Sequence, residues 1–122
     1  MKNGAILIID DDSRNVFALT AVLKAKGYQT IAAQDARAGI QLLENGTPIS
    51  IILMDMMMPE MDGYEAIGIL KSDDKYAQIP VVAVTAQAMV GDRERCLEAG
   101  ADDYLSKPID LDVLVRLLDK YQ

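Results

Sequence analysis

Three features of the chain predict an α/β fold with a parallel sheet covered by helices on both faces. Apolar, strand-like runs alternate five times with amphipathic segments, the pattern of parallel strands joined by helical crossovers. Two of those runs, Ala5 to Ile9 and Val81 to Val84, are apolar throughout, as strands buried on both faces require. Polar landmarks also stand at four predicted strand ends: Asp10-Asp11, Asp55, Thr85 and Lys107. Open parallel sheets bind ligands in the crevice beyond the carboxyl ends of their strands, so these four positions are expected to converge on one site.

The elements follow in order. Ala5 to Asp10 is the first strand. Ser13 to Lys26 is helical, because Val16, Leu19, Thr20 and Leu23 fall on one stripe, and Gly27 is its stop. Tyr28 to Ala33 is strand two. Helix two runs from an Asp35 cap to Glu44 with Ala36, Ile40 and Leu43 inward, and Asn45-Gly46 ends it. Ile49 to Asp55 is strand three. Asp62-Gly63-Tyr64-Glu65 reads as a capped helix start that buries Ala66, Ile67 and Leu70. Strand four is Pro80 to Thr85. Helix four, Met89 to Ala99, has the weakest apolar stripe and is expected to be the least firmly packed. Strand five is Asp102 to Ser106. A last helix from an Asp110 cap presents Leu111, Leu114, Val115 and Leu118.

Composition narrows the function. At 122 residues the chain fits one domain, 1–122, and 51% hydrophobic with 25% charged residues suits a packed globule. The apolar runs are far shorter than the ~20 residues of a membrane span. Met1-Lys2-Asn3-Gly4 is followed within six residues by acidic side chains, which argues against a secretory leader and for a cytoplasmic address. The net charge of −7 opposes direct nucleic-acid binding. There is no histidine, which removes histidine-based triads, histidine metal sites and a phosphohistidine on this chain. The lone Cys96 reads as a small buried hydrophobe, and the methionines around Asp55 read as packing rather than soft-metal ligands, since no second sulfur group completes such a site.

Asp10, Asp11 and Asp55 in one crevice would repel one another unless a cation compensated. Mg²⁺ suits them, because it prefers oxygen ligands, retains waters and uses few carboxylates together with phosphate oxygens. Asp11 and Asp55 are the expected direct ligands, Asp10 acts through water, and the Met57 backbone carbonyl supplies a further oxygen. A carboxylate can also be a nucleophile that becomes an aspartyl phosphate. Phosphoryl transfer needs mainly positioning and charge neutralisation. Mg²⁺ would take one phosphoryl oxygen, the Lys107 ammonium a second, and the Thr85 hydroxyl with the Ala86 backbone N–H a third. Pro108 is placed to lock a cis peptide that aims Lys107 into the crevice. Taken singly, Asp10-Asp11-Asp12 is an ordinary turn or cap; coincidence at four strand ends is what makes it a site.

The chain closely resembles the receiver domain of two-component response regulators. The resemblance rests on Ile6-Leu7-Ile8-Ile9-Asp10-Asp11-Asp12, Met54-Asp55-Met56-Met57-Met58-Pro59-Glu60-Met61-Asp62-Gly63, Val84-Thr85-Ala86, and Gly100-Ala101-Asp102-Asp103-Tyr104-Leu105-Ser106-Lys107-Pro108, in that order. It implies a doubly wound, flavodoxin-like (βα)5 sheet of strand order 2-1-3-4-5. It implies Asp55 as phosphoacceptor, Asp10 and Asp11 as the acidic metal pair, Thr85 as the switch hydroxyl, Tyr104 as the switch aromatic and Lys107 as the phosphate-binding lysine. The implied donor is a phosphohistidine of a sensor histidine kinase or a histidine phosphotransfer domain. The implied output is a change in protein contacts through helix four, strand five and helix five; the downstream target is not implied.

Asn15-Val16-Phe17-Ala18-Leu19 and Thr85-Ala86-Gln87-Ala88-Met89 look like receivers attached to hybrid sensor kinases. Met57 and Gln87 occupy positions that in this family tune attack by hydrolytic water, and a Met57 side chain that cannot orient water predicts slow self-dephosphorylation. Such a chain is not an enzyme in the usual sense, although it promotes its own phosphorylation and hydrolysis. An unphosphorylated pseudo-receiver is the alternative. A haloacid dehalogenase-type phosphohydrolase would need an acid where Met57 stands, and a flavin mononucleotide carrier would need phosphate donors where Asp10-Asp11-Asp12 stands.

Overall fold

The computed structural model describes residues 4–58, 61–86 and 91–121. Five strands and five helices alternate: β1 (Ala5–Ile9), α1 (Ser13–Ala25), β2 (Thr30–Ala33), α2 (Ala36–Glu44), β3 (Ile49–Asp55), α3 (Gly63–Ser72), β4 (Val81–Thr85), α4 (Asp92–Ala99), β5 (Asp103–Ser106) and α5 (Leu111–Tyr121). The strands form one sheet of order β2-β1-β3-β4-β5, and every pair is parallel. This is the expected doubly wound topology.

Alternate strand residues feed two cores. Leu7, Ile9, Ile52, Met54, Val81 and Ala83 face one side with Ala36 and Leu43 of α2, Ala66, Ile67 and Leu70 of α3, and Cys96 of α4. Ile6, Ile8, Ile51, Leu53, Val82, Val84 and Leu105 face the other with Leu19 and Leu23 of α1 and Leu114 and Leu118 of α5. Helices α1 and α5 therefore cover one face and α2, α3 and α4 the other. Burying each Leu, Ile, Val or Met side chain among these stabilises the fold by roughly 1.5–3 kcal/mol.

The start of β2 and the exposure of Leu111 depart from the sequence reading. Strand β2 starts at Thr30 rather than Tyr28, because Gly27 and Tyr28 finish the preceding helix. Gly27, at φ +91°, donates to the Lys24 carbonyl at 3.0 Å and Tyr28 to that of Leu23 at 3.0 Å, a Schellman closure that needs the left-handed residue. Leu111 is exposed, since it opens α5 beyond the strand end, and Ile109 packs on the core ahead of it. Helix α4 is described from Asp92, and the expected start at Met89 lies outside the described residues. Its inward face is Asp92 and Cys96, four residues apart and one of them charged, which is why its apolar stripe looks weak.

The amino end of the sheet is cross-linked. The Lys71 ammonium of α3 donates to the carbonyls of Ala77 (3.1 Å) and Ile79 (3.0 Å) and to Asp102 Oδ2 (2.8 Å). The same carboxylate oxygen accepts the N–H of Val81 at 2.8 Å. The Asp102 carbonyl in turn accepts the Tyr121 hydroxyl at 2.9 Å. Among the described residues no helix is long and apolar enough to cross a membrane.

Candidate functional site

Strand register brings the landmarks together. Ile9 pairs with Met54, so Asp10 leaves β1 beside Asp55, the last residue of β3. Asp55 pairs with Val84 and Thr85 with Ser106, so Thr85 and Lys107 complete the row along the carboxyl edge. Gly63 permits the close approach of α3 to this edge. A Cβ there would stand 2.7 Å from Met56 Cα and 3.0 Å from the Asp55 carbonyl oxygen.

Asp10 and Asp55 are each only 4% exposed, whereas Asp11 is exposed. One oxygen from each of the three carboxylates can be chosen so that all lie within 4.8 Å of one another. The Lys107 ammonium sits 3.4 Å from Asp10 Oδ2 and 3.5 Å from Asp55 Oδ2, and the Lys107-Pro108 peptide is cis. Asp10 Oδ1 accepts the N–H of Asp12 at 2.8 Å, and Oδ2 accepts the Asn15 amide at 2.6 Å. Asp12, expected as part of an acidic loop, caps α1 by accepting from the N–H of Arg14 at 3.0 Å. Asp55 Oδ1 accepts the Met57 N–H at 3.0 Å.

The electrostatics follow from this crowding. Burial pushes the Asp55 carboxyl up to about 6, helped by the Asp10 charge and opposed by the Met57 N–H and the Lys107 ammonium. Burial works against the charged form of Lys107, but the Asp10 and Asp55 carboxylates outweigh it and hold the lysine above its ordinary value. Three carboxylates against one ammonium leave two negative charges uncompensated. A hard divalent cation fits that donor set, which offers oxygens of the kind Mg²⁺ selects.

Thr85 is buried at 1%, and its carbonyl accepts the Lys107 N–H at 2.8 Å. Ala86 is exposed at the rim, and Gln87 lies outside the described residues. Met57 is 51% exposed, whereas Met54, Met56 and Met58 are buried in the core and Met61 packs against it, the packing role expected of them. Cys96 is buried, also as expected.

Two polar residues went unrecognised in the sequence. Asn15, in the first turn of α1, donates to Asp10. Asp92, 3% exposed, accepts the hydroxyls of Tyr64 (3.3 Å, Oδ1) and Tyr104 (3.4 Å, Oδ2). Asp92 thereby ties α4 to α3 and β5. Tyr64 is pushed up to about 12, chiefly by burial and then by Cys96 and Asp92, and the Arg95 guanidinium lies 5.0 Å from its ring centre. The usable signal was the i, i+4 pairing of Asp92 with Cys96 in a helix otherwise poor in inward residues.

A five-stranded doubly wound sheet with an acidic trio, a buried hydroxyl and a lysine at its carboxyl edge defines a phosphoacceptor signalling domain. The family model of the response regulator receiver domain matches residues 6–119, and the chain belongs to that family. It is 36% identical over 117 residues to the polar-differentiation response regulator DivK of Brucella anthropi, covering 96% of this chain and 94% of that one. Among solved structures it is similar to the receiver domain of a signal transduction histidine kinase from Syntrophus aciditrophicus. That likeness has a TM-score of 0.87 and 34% identity, over 98% of this chain and 89% of the other. It is also similar to the receiver domain of a Pseudomonas aeruginosa sensor histidine kinase, with a TM-score of 0.82 and 34% identity over 98% of each chain. That structure holds a magnesium ion in its active-site cleft.

Proposed function

We propose that Asp55 takes a phosphoryl group from a phosphohistidine on a sensor kinase or phosphotransfer partner, in a Mg²⁺-dependent reaction. The observation that carries this reading is the placement of the Lys107 ammonium within 3.5 Å of both Asp55 and Asp10, in a row that also contains Asp11 and Thr85. An Asp55 oxygen attacks phosphorus, the P–N bond to the donor imidazole breaks, and the imidazole leaves with the bonding pair and takes up a proton. Lys107 balances charge on one phosphoryl oxygen, and the Thr85 hydroxyl and Ala86 N–H hold another. Asp11, Asp55 and the Met57 carbonyl would hold Mg²⁺, with Asp10 contacting its water; the ion supplies neutralisation of phosphoryl charge.

The donor histidine lies outside these 122 residues, which contain none. An approach over α1 is supported by a groove of about 460 Å³ lined by Asp10, Asp11, Val16 and Phe17, with Phe17 78% exposed beside it. Once phosphorylated, Thr85 and Tyr104 pass the change to α4 and β5 and alter protein contacts. The protein works in the cytoplasm, and its chemistry is confined to its own phosphorylation and hydrolysis. Intact-protein mass spectrometry after incubation with a small acyl phosphate tests this. A single Mg²⁺-dependent adduct, lost in Asp55→Asn, is expected. Folded wild type that takes no phosphoryl group from either an acyl phosphate or a phosphohistidine donor would overturn the reading in favour of a pseudo-receiver.

A further inference from the structure

Asp10 is the most constrained of the three carboxylates. Its Oδ1 accepts the Asp12 N–H at 2.8 Å, and its Oδ2 accepts the Asn15 amide at 2.6 Å with the Lys107 ammonium at 3.4 Å. N–H donors therefore engage both oxygens before any ion arrives. Asn15 sits three residues past the Asp12 cap, where an acidic or amide side chain usually reaches back to the N–H of the cap residue. Here Asp10 takes that N–H, and Asn15 instead donates to Asp10. The helix does not need this arrangement, since asparagine is a poorer helix former than alanine.

We propose that Asn15 is a positioning residue that prevents Asp10 from chelating an ion with both oxygens, and so biases the site toward Mg²⁺ over Ca²⁺. The inference rests on the reading of Asp10, Asp11 and Asp55 as a divalent-cation site. Ca²⁺ accepts six to eight oxygens and bidentate carboxylates, whereas Mg²⁺ demands compact octahedral geometry and retains its waters. A carboxylate pinned on both oxygens can still accept a hydrogen bond from a metal-bound water but cannot turn to offer an oxygen pair. An amide is suited to the task because it is a neutral donor. A lysine or arginine at this position would cancel charge the cation needs, and a carboxylate would repel Asp10. Asn15 is half-buried, which keeps its amide on Asp10 rather than in solvent. Outer partners that fix the groups around a metal ion typically change affinity by about 10- to 100-fold when lost.

The test is calorimetric titration of the full chain with Mg²⁺ and separately with Ca²⁺, for wild type, Asn15→Leu, Asn15→Ala and Asn15→Gln. Urea unfolding of each variant checks that it is folded. Leucine has nearly the size of asparagine without the donor, alanine favours the helix, and glutamine restores a donor. The expected result is a Mg²⁺ affinity lowered about tenfold in the leucine and alanine variants, Ca²⁺ affinity kept or raised, and partial return of the Mg²⁺ preference with glutamine. Equal weakening of both ions, or no change in either, would overturn the proposal while leaving the cation site standing. Folded wild type that binds neither ion would overturn the cation-site reading itself.

Discussion

Replacing Asp55 by asparagine should stabilise the protein at neutral pH while abolishing phosphorylation. The carboxyl is 4% exposed and its pKa rises from 3.8 to about 6. Because the folded pKa lies above the unfolded one, the native state is penalised whenever Asp55 is ionised. That penalty is fully present above about pH 6 and disappears as pH falls through 6 towards 3.8. Two units correspond to about 3 kcal/mol. Asparagine keeps an oxygen for the Met57 N–H and carries no charge, so it should recover about 2–3 kcal/mol of this. With a urea dependence of about 2 kcal/mol/M, the midpoint should move up by roughly 1–1.5 M. The assay is urea unfolding of wild type and Asp55→Asn between pH 4 and 8, with and without Mg²⁺. The advantage of the variant should shrink on acidification, and also as Mg²⁺ stabilises only the wild type. An asparagine variant no more stable than wild type at pH 7.5 without divalent ions, or a gap independent of pH, would refute the reasoning.

Other perturbations have separate readouts. Leu118→Ala removes a fully buried side chain and should cost about 2–5 kcal/mol in chemical denaturation, with phosphorylation intact in the folded fraction. Asp92→Ala leaves the Tyr64 and Tyr104 hydroxyls without their shared acceptor; a loss of about 1–3 kcal/mol is expected, along with faster amide hydrogen exchange confined to α4. Met57→Asn, at a half-exposed position, should hasten phosphoryl loss from Asp55. One water-orienting hydrogen bond of about 1 kcal/mol corresponds to roughly fivefold in rate, measurable as decay of the phosphorylated mass. Gly63→Ala drives a methyl into the Met56 backbone and should lower both stability and Mg²⁺ affinity.

The strand ends are legible in the sequence because a parallel sheet buried on both faces leaves an unbroken apolar run. The first polar residue after each run then marks the edge. Asp10, Asp55 and Thr85 are visible for that reason, whereas Lys107 follows the short, partly exposed β5; helical stripes such as Leu19/Leu23 and Leu114/Leu118 are visible for the corresponding reason of period. Asn15 and Asp92 were hidden because a single polar residue on a helix looks the same whether it faces solvent or a partner from another element. Tyr28 misled in the opposite direction: its β-favourable side chain suggested strand, while the backbone closure after Gly27 decided the matter. Leu111 sat on the expected stripe, but periodicity does not say where a helix overhangs the sheet.

The Lys71 cross-link has a consequence for how this molecule can respond to a signal. It fastens α3, the start of β4 and the start of β5 through one ammonium, and Asp102 extends the fastening to Tyr121 of α5. All of these bonds lie at the end of the sheet away from Asp55. The domain is therefore bound like a book along its spine, while the contacts at the opposite edge run through the ionic groups Asp10, Asp55, Asp92 and Lys107. A phosphoryl group or an ion added at Asp55 would act on those ionic contacts and leave the Lys71 cross-link untouched, so any response is expected to keep the strand register at the amino end of the sheet.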